Sequence, residues 1–358
     1  MVFLTDVSTA EMDDTCGMRY WFNKHESGHG ILHRESVVNQ LLDTEIHNDL
    51  KTLSTLMDIS PHTIQLLIDD ILSHLSAEDK QDIGKMEFLY RRLGWFAAFA
   101  VFLEPVIRTE YETVPIDPAI VLDKDPLWVA DYPDRLLKHK LDGRIILREY
   151  TQMGPALSQE KWLQSWHYNI RLHVALAAAK EAMKDPTLVP KSAQMMGMSR
   201  GFRSSLDNRL VHPYVWGYYN KQREEWSHVN TGKAHEWALA PVWTFPGGIV
   251  AWVRQCGEAV ARGQFQFSPP VYLNEKILSE WCNRRLHRER EISGVVDGAQ
   301  INKHLRSVYF GRATSQCYIG SEVCPYLQAC WSPEPNYFPL KRGDYVKNSP
   351  LASGYGVF

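Results

Sequence analysis

The sequence predicts a mixed α/β protein, and three observations predict it. Apolar residues recur at helical spacing over much of the first hundred positions. The pattern then alternates, and Asp142-Gly143 separates two apolar runs, the mark of an antiparallel hairpin. A helical pattern returns over 159–184. The order is therefore helices, antiparallel strands, helix.

Over 36–57, Val37, Leu41, Leu42, Ile46, Leu50 and Leu53 share one face of an amphipathic helix. Ser60-Pro61 supplies a cap and a first-turn proline for a second helix through about Leu75. A third helix is expected over 85–103, ended by Pro105. Its run Trp95–Leu103 is the longest apolar stretch, about half of what a bilayer span needs. Val106–Val114 alternates like a strand, and Trp128–Ala130 reads as another. Arg135–Lys138 and Arg144–Tyr150 are the arms of the hairpin. The helix over 159–184 is Ala-rich in its second half, with Pro186 beyond its end. From Pro186 to about Pro270 Trp and Tyr are frequent; Gly247–Arg262 and Asn274–Glu291 read as helices. From Pro333 on, Pro and Gly predict an extended strap over the surface. No internal repeat or low-complexity tract is present.

The chain has 358 residues, 44% hydrophobic and 23% charged, which excludes wholesale disorder and collagen-like or coiled-coil designs. Lys and Arg number 39 against 42 Asp and Glu, a net charge of −3. That excludes coating DNA by bulk charge but not a local basic groove. The start, MVFLTDVSTAEMDD, lacks a basic n-region and a long apolar h-region. We therefore expect no signal peptide, and a cytoplasmic protein whose reduced thiols can hold metal. Six cysteines are too few for a disulfide scaffold, and twelve Trp suggest a large aromatic core or a stacking surface. There is no G-x-x-x-x-G-K-S/T loop, so any helicase motor would be a separate chain.

Three constellations can carry chemistry. Cys317, Cys324 and Cys330 form C-x6-C-x5-C, and Cys16 lies far upstream. Together they could close an iron–sulfur or zinc site that clips the chain ends; Cys256 and Cys282 read as unrelated buried thiols. Asp134 begins one hairpin strand and Glu149 ends its partner, so the two can converge. Two carboxylates and a carbonyl are a hard-ligand set for Mg²⁺ or Mn²⁺, and such a metal activates water and bears phosphoryl charge. The plainer alternative is two solvated turn carboxylates. His47 lies on the first amphipathic helix, where a lone His is more often a polar surface or core residue. His25, His29 and His33 are spaced by four, but Gly28 and Gly30 interrupt that helix. Arg284, Arg285, His287, Arg288 and Arg290 suit phosphate contacts, or equally a solvated face paired with Glu280 and Glu289. The aromatic residues between 214 and 252 could stack on unpaired bases, but such residues are more often core.

Taken in order, the early Cys, the helical His, the Asp before a hairpin, the acidic strand end and the three-Cys cluster resemble the RecB-like PD-(D/E)XK nucleases. The likeness is strongest to their iron–sulfur branch, which includes the AddB-type helicase–nucleases and the nucleases of CRISPR spacer acquisition. It spans Cys16 to Cys330. It implies a restriction-endonuclease-like α/β core, a mixed sheet flanked by helices, with an N-terminal helical part and a C-terminal iron–sulfur staple. The chain is then one unit: a helical part over 1–104, a metal-site core over 105–185, an aromatic-rich part over 186–314, and the cysteine cluster and tail over 315–358. By the resemblance, His47, Asp134 and Glu149 are metal ligands, with the Tyr150 carbonyl completing the shell. Cys16, Cys317, Cys324 and Cys330 would hold a 4Fe–4S cluster, with zinc as the alternative. The implied activity is Mg²⁺- or Mn²⁺-dependent hydrolysis of DNA, single-stranded or at ends, in recombination, repair or processing. The implied partners are DNA and a separate helicase or recombination protein, with no membrane.

Two departures bear on catalysis. The family's E-x-K motif has Lys where this chain has Thr151, whose hydroxyl cannot supply a cation. Gln164 and Tyr168 fit the family's Q-x-x-x-Y spacing, while the Ala-rich helix suggests a register with Arg171 and Ala175 in those places. Lys161, one turn before Gln164, offers a migrated cation. These departures keep open a degenerate relative that binds DNA or assembles without cutting. A zinc-stapled scaffold with no role on DNA is a third reading.

Overall fold

A computed structural model of the chain describes residues 3–6, 10, 13, 16, 31–33, 52–53, 56, 59–73, 75–116, 120–131, 133–153, 165–166, 169–199, 202–203, 210–211, 216–228, 235–301, 310, 318–319, 322–324, 326, 330 and 345–347. The first strand, β1, is Phe3–Asp6. Most of the helix expected over 36–57 and most of the tail from Pro333 lie outside the described residues. Within that tail, Tyr345–Lys347 pairs antiparallel with Ile31–His33.

Helix α1 (Pro61–Ser73) starts where the sequence places it: the Thr63 N–H donates to Ser60 Oγ at 3.1 Å, with Pro61 in the first turn. Helix α2 (Ile83–Ala98) is capped by Asp82, whose Oδ1 accepts from the N–H groups of Gly84 and Lys85. The helical stretch does not end before Pro105. Phe99–Leu103 form a π-helical turn, and α3 (Glu104–Glu110) follows, with Leu103 and Glu104 both in helical backbone. Pro105 sits in the first turn of α3, where a missing N–H is tolerated. Most of the strand expected over 106–114 is therefore helix, and only β2 (Tyr111–Val114) is extended.

The next strands are β3 (Ile120–Lys124), β4 (Leu127–Asp131), β5 (Arg135–His139) and β6 (Ile145–Met153). β5 and β6 are the expected hairpin, with Arg135 opposite Arg148 and Lys138 opposite Ile145. Gly143 takes φ 69°, and Asp142 Oδ1 accepts from the Arg144 N–H at 3.0 Å, the chemistry an Asp-Gly turn requires. Helix α4 (Ile170–Ala182) begins later than the pattern over 159–184 suggests. Asn169 is extended and its Oδ1 accepts from the Arg171 N–H at 2.9 Å, so the helix starts at this cap. β7 (Ser192–Ser199) follows and pairs with β6 in parallel. After α5 (Gly248–Cys256) comes the edge strand β8 (Phe265–Phe267). Gly257, at φ 88°, divides the expected Gly247–Arg262 helix into α5 and the short Glu258–Arg262 turn.

The main sheet has the order β8-β7-β6-β5-β2, antiparallel except for the β6/β7 pair. A smaller sheet has the order β1-β4-β3. Strand side chains alternate between faces, which splits the core in two. Leu137, Tyr150 and Met196 pack with Ile68, Phe96, Phe99 and Trp252 of α1, α2, the π turn and α5. Leu136, Leu147, Ala193 and Met195 pack with α4 and with Trp281 of α6 (Glu275–Ile301). The result is a mixed sheet flanked by helices. No helix among the described residues is long and apolar enough to cross a membrane.

Many of the described aromatic residues between 216 and 252 belong to the core. Trp226, Phe245 and Trp252 meet edge to face, and Trp243 contacts Tyr90 and Trp216. Two arginines of the basic helix are likewise committed. Arg285 donates from Nη1 to Asp13 Oδ2 at 2.9 Å and from Nη2 to Glu289 Oε1 at 2.6 Å. Arg288 donates to both oxygens of Asp13, at 2.9 and 3.0 Å, and lies over the Phe310 ring. Arg285 is buried together with Asp13, so Arg285 is not a phosphate contact. Removing one member of a buried charge network leaves the other uncompensated. Asp13→Ala is expected to cost about 3 kcal/mol, even with Glu289 retained, and to lower Tm by roughly 4 °C in calorimetry. An unchanged Tm would show that the network carries no net stability.

Candidate active site

The hairpin register brings Asp134 and Glu149 together. Since Arg135 faces Arg148, the residues just outside that pair are Asp134 and Glu149. Both are buried, Glu149 completely. Each is braced by backbone beside the other: the Asp134 N–H donates to Glu149 Oε1 at 3.3 Å, and the Tyr150 N–H donates to Asp134 Oδ2 at 2.7 Å. The Tyr150 ring points to the opposite face and meets Phe99 edge-on.

Charge is concentrated here. Burial, foremost, and the nearby carboxylates of Asp134 and Asp131 raise the Glu149 carboxyl well above the ordinary range; Arg171 opposes them. Arg171, in the first turn of α4, donates from Nη2 to Glu149 Oε2 at 2.9 Å. Asp131, Asp134 and Glu149 thus lie close enough to act on one another, with Arg171 as a described cation beside them. Asp134 and Glu149 offer the carboxylate oxygens that Mg²⁺ or Mn²⁺ prefers. Among the described residues, no group of three His, Cys, Asp or Glu side chains is arranged to hold a metal by itself.

The other face of the hairpin carries a cationic cluster that sequence reasoning missed. Arg135 donates from Nη1 and Nη2 to the two oxygens of Glu104, at 2.5 and 2.8 Å, and from Nη2 to Thr113 Oγ1. Directly opposite, Arg148 is buried, donates to Gln194 Oε1 at 3.0 Å, and lies between the rings of Tyr111 and Phe267. Its burial lowers its proton affinity. The available signal was an Arg at an inward position in each apolar arm, adjacent in sequence to Asp134 and to Glu149.

His47, Lys161, Gln164, Tyr168 and Cys317 lie outside the described residues. Thr151 is half-buried on the same strand face as Glu149, opposite Gly197 in the parallel register. Ala175 is buried within α4. Cys16 and Cys324 are half-buried and Cys330 is buried. Cys256 and Cys282 are buried, as expected of them; burial pushes the Cys282 thiol up to about 11 and the Cys256 thiol higher still. No protein-family model matches the chain, and no curated protein matches it.

Proposed function

We propose that the chain is a Mg²⁺- or Mn²⁺-dependent deoxyribonuclease of the RecB-like PD-(D/E)XK type, acting on single-stranded DNA or on ends. The observation that carries this reading is the pair Asp134–Glu149, buried and braced by backbone donors at one end of a hairpin. The mixed sheet, in which the hairpin is followed by a helix and a parallel strand, supports the same reading.

In this account Asp134 and Glu149, with His47 and the Tyr150 carbonyl, would hold the divalent ion. That ion supplies a Lewis acid for the phosphate and lowers the pKa of a bound water. The chain's own groups prepare the site. Backbone N–H donors fix the two carboxylates, and burial keeps their field unscreened. The test is cleavage of labelled single-stranded and duplex DNA by the full chain with Mg²⁺ and with Mn²⁺. We expect metal-dependent cleavage; no cleavage of either DNA under either metal overturns the reading. Thr151 favours one other reading, a relative that binds DNA without cutting it, and binding without cleavage would select that one.

We further propose a 4Fe–4S staple on Cys16, Cys317, Cys324 and Cys330, with zinc as the alternative. Asp13 and Phe310 both meet Arg288, so the segment leading to Cys16 and the segment leading to the C-terminal cysteines reach the same helix. The strand pair Tyr318↔Val323 has Cys317 and Cys324 as its outward sequence neighbours. A brown protein with broad absorbance near about 400 nm, bleached in Cys330→Ser, is expected. A colourless protein that contains zinc selects zinc instead.

A further inference from the structure

We infer that Arg171 is the cationic positioning residue of the carboxylate site, supplied from the helix after the hairpin in place of a strand lysine at Thr151. The inference rests on the nuclease reading. Three observations carry it. First, Arg171 reaches a fully buried carboxylate, with its Nη2 2.9 Å from Glu149 Oε2, while about a quarter of its own side chain (26%) stays exposed. Its side chain therefore runs between the buried carboxylate and solvent. Second, its backbone is fixed: Asn169 caps α4 directly on the Arg171 N–H. Third, the two hairpin cations adjacent in sequence to Asp134 and Glu149 are engaged elsewhere. Arg135 and Arg148 belong to the opposite strand face, where Arg135 holds Glu104 and Arg148 lies between two rings. Thr151 shares the face of Glu149 but carries no charge.

In the reaction, water oxygen forms a bond to phosphorus. The phosphorus bond to one sugar oxygen breaks with its electron pair on that oxygen, and the oxygen ends protonated by the proton water gives up. Arg171 contributes by holding Glu149 in place and offsetting negative charge beside it, so the carboxylate keeps its geometry before a metal binds.

The test compares Arg171→Lys, Arg171→Gln and Arg171→Ala in the full chain. One readout is cleavage of labelled single-stranded DNA; the other is the rise in Tm on adding Mn²⁺. Gln and Ala are expected to lose about 10- to 100-fold in kcat with KM for DNA unchanged, whereas Lys keeps most activity. The Mn²⁺-induced rise in Tm should be larger by about 2 °C or more in Gln and Ala than in wild type, because the metal then takes over the missing neutralisation; Lys should match wild type. Wild-type cleavage that persists unchanged in Arg171→Gln, or an identical Mn²⁺ effect in all four proteins, overturns the role of Arg171 and leaves the nuclease reading standing. A wild type that neither cuts DNA nor responds to Mn²⁺ overturns both.

Discussion

Glu149→Gln is expected to abolish metal-dependent DNA cleavage, by at least about a hundredfold, while making the metal-free protein more stable. The two effects have one cause. The Glu149 carboxylate is fully buried and faces Asp134 and Asp131, and together these outweigh Arg171 in favouring its neutral form. A neutral amide of the same shape keeps the Asp134 N–H acceptor and removes the repulsion, at the expense of a metal ligand. The pH dependence has a definite sign. The folded-state value of Glu149 lies well above the ordinary 4.5, so its protonated form contributes stability below about pH 4.5 that is lost as pH rises through the folded value. Wild type and variant should therefore melt alike in acid. Towards pH 8 the variant should melt higher, by about 2 °C or more. Adding Mn²⁺ should raise wild type and leave the variant where it was. Melting curves across pH, with and without Mn²⁺, check this. A variant less stable than metal-free wild type at pH 8 would mean that the Arg171 pair outweighs the repulsion.

Glu104→Gln is expected to destabilise the fold more than any other single charge removal near the hairpin. Glu104 is fully buried and accepts from Arg135 at both oxygens and from Arg108 Nε at 2.9 Å. Across the strands from Arg135 stands Arg148, also buried. Without the carboxylate, two guanidiniums face each other in low dielectric with no negative charge between them. Breaking such a buried pair costs about 3–5 kcal/mol, or roughly 4–7 °C in Tm for a chain of this size. β5, which Arg135 opens, adjoins Asp134, so cleavage should fall with stability. The double variant Glu104→Gln, Arg135→Met should recover much of the loss, since an apolar side chain leaves no orphaned charge. If the double variant is as unstable as the single one, the ion pair is not the source of the stability.

The parts of this fold legible in the sequence are those with local causes. Ser60-Pro61 and Asp142-Gly143 act through their own backbone, and both lie where the pattern puts them. The meeting of Asp134 and Glu149 was also readable, because a two-strand register fixes which residues face each other. Pro105 misled, since proline both ends helices and opens them, and here it opens α3. The boundary of α4 was hidden in the same way: the apolar period runs through Asn169, and only the cap geometry marks the start. The partners of the charged residues were out of reach. Arg171 meets Glu149 because α4 packs on the sheet, and Arg285 meets Asp13 across 272 positions of sequence. Spacing within a helix can pair Arg285 with Glu289 but cannot show that Asp13 completes the set.

The central claim is that Asp134 and Glu149 form a divalent-metal site. Calorimetric titration of the full chain with Mn²⁺, in wild type and in Asp134→Asn, tests it most directly. The account predicts saturable binding in wild type that weakens at least about tenfold in the variant, with the Tm of the metal-free variant no lower than that of wild type. Wild type without saturable Mn²⁺ binding, or a variant that binds Mn²⁺ as tightly as wild type, would contradict it.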